Sequence, residues 1–394
     1  MSLRARLAGA AIVLAAGVTF ILYPYERGLA FVVRAAGMHG FARRLADLGT
    51  RPSSEREISI PTRSGTVRAR VYSPGSSARR TVLLVSGLHA AGIDEPRLVG
   101  LARELAATRV AVVTPDIPEL SRFTITPDIT DTIEQAAGWL AGESGLAADH
   151  HVGLMGISFS GGLAVIAAGR PSLAGRVAFV FSFGGHDDLP RVLRYLCTGI
   201  EPAPRHEIQL AGDRSGVIVR APHDYGVAVI LLAIADRVVP PVQVAPLRAA
   251  VRRYLLASHL ARVDTPRADR EFAGLRDLAA HLPEPSATLL TYVNNRDVVH
   301  LGARLRPVLA SYGTDPALSP SRSPKPSVPV FLLHGIDDNV VPAVESEYLA
   351  DDLRGHAPVR LLLSGLISHA EADQPPHLED VLKLAGFWGD LLSR

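Results

Sequence analysis

The sequence predicts an α/β fold in which a mostly parallel central sheet is flanked by helices and carries a large helical insertion. Short, continuously apolar runs alternate with amphipathic helical stretches from residue 81 to residue 182. That alternation is typical of βαβ units, and continuously apolar strands are buried on both faces of a sheet. The alternation stops at about residue 185 and returns at residue 328, so the intervening helices interrupt one α/β domain.

Composition narrows the class of protein. The chain has 394 residues, of which 47% are hydrophobic, so a sizeable core can form. The 41 basic and 39 acidic residues nearly cancel, to a net charge of +2. This balance argues against a nucleic-acid partner, which would require a basic excess. Cys197 is the only cysteine, which excludes an intrachain disulfide and disfavours a structural zinc site. We expect neither a metal nor a cofactor.

The N-terminal segment predicts a membrane anchor. Leu7–Tyr25 is free of charged residues over 19 positions, and at ~1.5 Å per residue a helix of that length nearly matches a bilayer core. We therefore interpret residues 1–27 as a single transmembrane or signal-anchor segment. A cleaved signal peptide and an Ala-rich helix packed on the body are the alternatives, and the flanking arginines leave the side of the membrane open. Residues 28–54 are interpreted as an amphipathic spacer, helical from Gly28 to Leu48.

The first part of the α/β core is predicted over residues 55–185. A hairpin is predicted to turn at Ser64-Gly65. Apolar and charged residues alternate along its second strand, so one face of that strand is buried and the other faces solvent. The strands of the hairpin and of the sheet are predicted at Glu57–Pro61, Thr66–Tyr72, Thr81–Ser86, Val110–Pro115, Val152–Gly156 and Val177–Ser182. Helical spacing of apolar residues predicts helices at Pro96–Thr108, Pro127–Gly142 and Phe159–Ala168.

Residues 186–327 are predicted to form a helical cap. Its helices are expected at Asp224–Val239, Pro246–Ala261, Pro266–Leu282 and Asn295–Ser311. The strongly apolar Asp224–Val239 either walls a substrate pocket or packs on the core. Residues 328–394 complete the α/β domain. The elements predicted there are strands at Val328–His334 and Val359–Leu363 and helices at Glu345–Leu353 and Leu378–Leu392.

A serine turn connects one of the predicted strands to its helix. The strand Val152–Gly156 leads into Gly156-Ile157-Ser158-Phe159-Ser160 and then Gly161-Gly162. Small residues are needed where strand and helix backbones approach closely, and a tight turn there can hold a serine hydroxyl outward. Ser158 is the candidate nucleophile and Ser160 the alternative. A helix N-terminus that merely packs or binds an anion would also explain the small residues.

Residues 55–394 resemble the α/β-hydrolase superfamily. The serine turn is similar to the Gly-x-Ser-x-Gly motif of that family, with Ser160 in place of the last glycine. The segment from Pro329 to Pro342, PVFLLHGIDDNVVP, resembles the one that carries the catalytic acid. The family places the acid three residues past the glycine of that strand, which implies Asp338. A variant with the acid after the preceding strand would select Asp187.

The resemblance also implies a base and an oxyanion hole. His369 lies 31 residues after Asp338 and ahead of the last helix, so the order Ser, Asp, His is that of the fold. His377, closer to the helix, is the alternative base. The oxyanion donors implied are the backbone N–H groups of Phe159, after the nucleophile, and Leu88, in the loop after Thr81–Ser86.

These residues imply a membrane-anchored serine hydrolase that cleaves a carboxylic ester through an acyl-enzyme. A peptidase or amidase, or an acyltransferase, would use the same triad of Ser158, Asp338 and His369. A non-catalytic binding scaffold is the alternative from another class, although it would not need all three residues. The partners expected are a small-molecule ester, with a hydrophobic one favoured by the membrane segment, and the membrane itself.

Overall fold

The computed structural model describes residues 25–48, 50–203, 216–367 and 378–394. In them, an eight-stranded sheet has the order β1-β2-β4-β3-β5-β6-β9-β10. A ribbon, β7-β8, lies in the insertion. The strands are β1 Ser54–Thr62, β2 Gly65–Ser73, β3 Arg80–Val85, β4 Val110–Pro115, β5 Val152–Ile157, β6 Val177–Phe183, β7 Ile200–Pro202, β8 Val217–Val219, β9 Val330–Gly335 and β10 Val359–Ser364. β2 pairs antiparallel with both β1 and β4, and the other neighbours in this sheet, from β4 and β3 to β9 and β10, pair parallel. The predicted mostly parallel sheet is confirmed.

Helices cover both faces of this sheet. They are α1 over residues 25–35, α2 Phe41–Ala46, α3 Pro96–Ala107, α4 Pro118–Ser121, α5 Asp128–Gly142, α6 Phe159–Ala168, α7 Leu189–Thr198, α8 Asp224–Val238, α9 Pro241–Val263, α10 Thr265–His281, α11 Ser286–Asn294, α12 Val298–Leu305, α13 Val344–Leu353 and α14 Leu378–Leu391. One hydrophobic core joins α5, α6 and the insertion to the sheet. A second core, on other strand side chains, joins α1, α3 and α14 to it. The alternation of side chains along the strands creates both cores.

The large helical insertion between β6 and β9 is also confirmed. It contains α7 to α12 and the β7-β8 ribbon. The apolar α8 is buried within the first core, with Val227, Ile230 and Leu231 each 2% exposed or less. Its apolar residues therefore pack on the core, which is one of the two roles that the sequence left open.

The segment after the predicted anchor differs from the expected single helix over Gly28–Leu48. The chain forms α1 and α2 instead, because Gly37 and Gly40 between them adopt φ values of 63° and 76° that end a right-handed helix. α1 packs closely on α14: a Cβ on Gly28 would lie 1.9 Å from the carbonyl oxygen of Ala385. α1 therefore belongs to the body of the protein.

The predicted anchor, apart from residues 25–27 at the start of α1, falls outside the described residues. No helix in the described parts of the chain combines the length and the apolarity that crossing a bilayer requires.

Candidate active site

Ser158 occupies a strained turn between β5 and α6. Its φ and ψ are 54° and −129°, a region that only glycine enters easily, and such a conformation costs roughly 1–3 kcal/mol. The backbones approach closely in this turn, since a Cβ on Gly156 would lie 2.1 Å from the carbonyl oxygen of Ser160. Ser158 lines a cavity of about 640 Å³. A strained serine at a cavity is the arrangement of a nucleophile held ready for attack.

Ser160 is placed differently. Its side chain is fully buried, and its hydroxyl donates a hydrogen bond of 2.6 Å to the carbonyl oxygen of Ser86, directly after β3. Ser160 is not among the described residues that line the cavity. This geometry favours Ser158 over Ser160 as the nucleophile. It also gives Ser160 a structural reason to replace the usual glycine, since its hydroxyl ties the start of α6 to the loop after β3.

Asp338 lies in the loop after β9 and is 2% exposed. Its Oδ1 accepts hydrogen bonds from the backbone N–H groups of Val340 and Val341, at 2.8 and 3.0 Å. The neighbouring Asp337 instead has a side chain that is 76% exposed and lies 3.4 Å from Arg220. The two adjacent aspartates thus have different environments, and only Asp338 is fixed within the protein.

His334 supports the acid loop and was not identified from the sequence. It is fully buried in β9, and its Nδ1 lies 2.6 Å from Ser346 Oγ. Its Nε2 lies 2.8 Å from the carbonyl oxygen of Val341 and 3.4 Å from Asp338 Oδ2. A carbonyl only accepts, so Nε2 carries the proton and donates toward the loop. The signal available in the sequence was a histidine within an otherwise apolar strand.

Asp187, the alternative acid, belongs to a buried ion cluster. It lies 3.0 Å from Arg191 Nη2, and Glu345 Oε2 accepts from both the Asp187 N–H, at 3.0 Å, and Arg191 Nη2, at 2.9 Å. Arg191 also stacks over the ring of Tyr348 at 4.3 Å. Burial raises the pKa of Asp187 to about 7, although the hydrogen bond to Arg191 opposes the rise. The cluster joins α7 to α13, so Asp187 has a structural role in this arrangement.

The two candidate bases, His369 and His377, fall outside the described residues. The described chain stops two residues short of His369, at Ile367, which lines the same cavity as Ser158. The described chain after β10 therefore reaches the cavity at Ile367.

The two predicted oxyanion donors come from different elements. Phe159 is the first residue of α6, so its N–H has no acceptor within the helix. Leu88 lies in the loop after β3 and lines the cavity with Ser158. Between them, Gly87 approaches so closely that a Cβ there would lie 3.2 Å from Ser158 Cβ. Both backbone segments are thus adjacent to the serine.

The insertion holds two of these loops. The Tyr225 hydroxyl, at the start of α8, donates a hydrogen bond of 2.6 Å to the Leu88 carbonyl oxygen. Burial raises the pKa of Tyr225, so the hydroxyl stays protonated. In the acid loop, the Asn339 carbonyl oxygen accepts from the His223 N–H at 2.9 Å and from the Tyr195 hydroxyl at 3.3 Å. These long-range contacts, which the sequence does not reveal, fix the loops that carry Leu88 and Asp338.

The loop after Leu88 places His89, but not Asp94, at the cavity. His89 lines it, and its ring meets that of His259 from α9 edge to face, with centroids 4.6 Å apart. Burial lowers the pKa of His89 to about 4, so the ring is neutral at pH 7. Asp94 pairs instead with Arg70 at 2.6 Å.

No protein-family model and no curated protein matches the chain. Solved structures are similar to it at low identity. An esterase from Pyrobaculum calidifontis has 16% identity and a TM-score of 0.43, over 95% of this chain and 93% of that chain. An acylaminoacyl peptidase from Pyrococcus horikoshii has 10% identity and a TM-score of 0.42, over 84% and 40%. A truncated carbohydrate esterase from gut microbiota has 11% identity and a TM-score of 0.46, over 88% and 99%.

The topology of the chain itself identifies the fold. The two antiparallel strands at one edge, the exchange of β3 and β4 in the strand order, and the serine turn between β5 and α6 occur together. A helical insertion follows β6, and a buried acid follows β9. With this strand order, serine turn and insertion, the chain has the α/β-hydrolase fold.

Proposed function

We propose that the protein is a serine hydrolase that cleaves a carboxylic ester through an acyl-enzyme. Ser158 is the nucleophile, His369 the general base and Asp338 the acid that orients it. The observation that carries the proposal is the strained backbone of Ser158 at a 640 Å³ cavity. Support comes from the buried carboxylate of Asp338, which follows a strand of the same parallel sheet. Carboxyl ends of parallel strands meet at one edge of a sheet, which supports assigning the two side chains to one site.

The proposed reaction has two steps. His369 takes the proton from Ser158 Oγ while the oxygen attacks the ester carbonyl, and the N–H groups of Phe159 and Leu88 stabilise the oxyanion. The intermediate collapses, the alkoxide takes the proton from the imidazolium, and the alcohol leaves. Water then attacks the acyl-enzyme with the same base, which releases the acid and returns the proton to Ser158. An acyltransferase would differ only in using another alcohol or amine in place of water.

The full-length protein is expected to react with a fluorophosphonate probe and to hydrolyse p-nitrophenyl acetate. Labelling reports an activated serine, and hydrolysis reports turnover of an ester. The control is heat-denatured protein, which should not be labelled. A folded protein that is neither labelled nor active would contradict the proposal and favour the scaffold alternative. A protein that is labelled but cleaves only an amide would move the assignment to the peptidase class.

We also propose that residues 1–27 anchor the enzyme in a membrane. Support comes from large apolar side chains that are exposed on the elements that follow this segment in the chain and on α14, which packs against α1. They lie on α1, on and around α2, and on α14, and are Tyr25, Leu29, Met38, Phe41, Leu45, Leu48, Leu378 and Leu382. Phe41 is 81% exposed. Exposed large apolar side chains mark surfaces for lipid or a partner, and the charge-free segment that precedes α1 in the chain favours lipid.

A double variant with Val13→Arg and Val18→Arg is expected to lose membrane association. Each arginine near the middle of a spanning helix costs about 2.5–3.5 kcal/mol. The measurement is the fraction of the expressed protein that stays with membranes after an alkaline carbonate wash. Val13→Leu with Val18→Leu is the matched control and should remain in the pellet. Wild-type protein that washes off, or a mature N-terminus beyond residue 25 by mass spectrometry, would refute the anchor.

A further inference from the structure

We propose that the cavity beside Ser158 is an acyl-chain site walled by α1, α3 and α14, so that the enzyme selects esters of long-chain acids. This inference rests on the proposed function and adds its substrate class. The sequence makes the apolar helix of the cap, α8, a possible pocket wall. None of the described residues that line the cavity belongs to α8. The specificity surface is therefore on the face of the sheet that α1, α3 and α14 cover.

The cavity connects the reaction centre to apolar helices. At one end it is lined by Ser158 and by the loop of Gly87 and Leu88. The walls beyond are apolar side chains from three helices. They are Phe31 and Val32 of α1, Leu98 and Leu101 of α3, and Leu384 and Trp388 of α14. A volume of about 640 Å³ lies within the range of about 300–1,000 Å³ that is common for small-molecule sites. An acyl group bound to the serine has this apolar space directly beside it.

The charged groups in the lining are already paired. Arg34 Nε lies 2.8 Å from Glu104 Oε2, and Arg97 Nε lies 2.6 Å from Glu95 Oε1. The Arg34 side chain is 3% exposed, and its Nη2, which lacks a hydrogen-bond partner among the described residues, is inaccessible to solvent. Because each cation faces a carboxylate, the lining offers no net charge to a substrate. This favours an apolar chain over a charged group.

The cavity reaches the surface at the C-terminal end of α1. Ala35 and Ala36, at the end of α1, line it and are exposed. Met38 and Phe41, which follow directly, are 43% and 81% exposed. A chain that enters between these residues passes from an apolar surface to an apolar cavity without crossing water. The occupant that this path fits is the acyl chain of a lipid ester.

Gly100 allows a direct test of the site. It lies in α3 and lines the cavity, and a Cβ added there would have no atom within 4 Å. Gly100→Leu should therefore fill the cavity without a clash. Each methylene of the substrate that can no longer be buried weakens binding about fourfold. Loss of room for two methylenes should lower the ratio of kcat/KM for p-nitrophenyl decanoate to that for p-nitrophenyl acetate by about 15-fold. The acetate value itself should change by less than about twofold.

Gly100→Ala is the matched control, because it makes a similar change in helix propensity but adds only one carbon. Its decanoate-to-acetate ratio should stay near the wild-type value. Ala35→Leu narrows the cavity at its mouth, at the end of α1, and should lower the ratio as Gly100→Leu does. Acetate hydrolysis with an unchanged ratio in both leucine variants would overturn the acyl-chain site and leave the hydrolase proposal intact. Failure of wild type to hydrolyse either ester would instead count against the proposed function.

Discussion

Replacing Ser158 with alanine is expected to lower kcat/KM for an ester by about 10⁴-fold or more while the protein stays folded. Loss of the nucleophile removes the acyl-enzyme route and leaves only what the oxyanion donors and binding contribute. Alanine keeps the Cβ that the turn at φ 54° already accommodates, so stability should change little. The measurements are steady-state kinetics, fluorophosphonate labelling and denaturant unfolding on the same preparations.

Ser160→Ala is the matched control for this variant. It removes the hydrogen bond to the Ser86 carbonyl oxygen, and an unpaired buried acceptor costs about 1–3 kcal/mol. We therefore expect lower stability but retained labelling. Labelling that survives Ser158→Ala and disappears in a folded Ser160→Ala protein would move the nucleophile to Ser160. Ser158→Gly should also be inactive, yet resist denaturant better than Ser158→Ala, because glycine relieves the backbone strain.

Local patterns predicted the elements of this protein better than its long-range contacts. The parallel strands are visible because each is a continuous apolar run, and the serine turn is visible because Gly156 and Gly161 are required by close backbone approach. The break between α1 and α2 was also encoded, in Gly37 and Gly40. The periodicity of apolar residues conceals it, because an amphipathic pattern can continue across two helices that pack on the same surface.

Contacts between distant positions could not be predicted. Nothing local to Gly28 indicates that it meets Ala385, and nothing local to Tyr225 indicates that it holds the Leu88 carbonyl oxygen. The position of the cavity depends on these contacts. A strongly apolar helix such as α8 is equally suited to a pocket wall and to a core, and only the packing around it decides. The sequence thus identifies the reacting residues better than it identifies the surface that selects the substrate.

Asp338→Asn is expected to lower kcat by about 10³- to 10⁴-fold with little loss of stability. The amide oxygen can still accept from the N–H groups of Val340 and Val341, which now reach Oδ1 at 2.8 and 3.0 Å. The amide nitrogen then replaces Oδ2, and in the proposed mechanism it presents a donor to His369 where an acceptor is required. The base loses the partner that fixes its tautomer and stabilises its charged form. Steady-state kinetics with p-nitrophenyl acetate measures the loss.

Variants of two other aspartates, Asp337 and Asp187, are the controls for Asp338→Asn. Asp337→Asn changes the adjacent, 76% exposed side chain and should leave kcat within about twofold, since exposed ion pairs contribute little. Asp187→Asn should also keep activity, because Asp187 pairs with Arg191 and lies in the ion cluster that joins α7 to α13. An inactive but folded Asp187→Asn protein beside an active Asp338→Asn protein would place the acid after β6.

Asp187→Asn is also expected to change how the free energy of unfolding depends on pH while leaving the pH dependence of activity unchanged. Burial raises the pKa of Asp187 to about 7 in the folded protein, against about 3.9 in an unfolded chain. Between those values the folded state binds more protons than the unfolded state, so this residue makes the free energy of unfolding decrease as pH rises from about 4 to about 7. Asparagine does not titrate, so the variant should lose that part of the pH dependence while its activity profile stays that of wild type. Unfolding by denaturant at pH 5 and pH 7.5 measures the difference. If the free energy of unfolding changes equally between pH 5 and pH 7.5 in the two proteins, Asp187 is ionised in the folded state, with Arg191 as its permanent counter-ion.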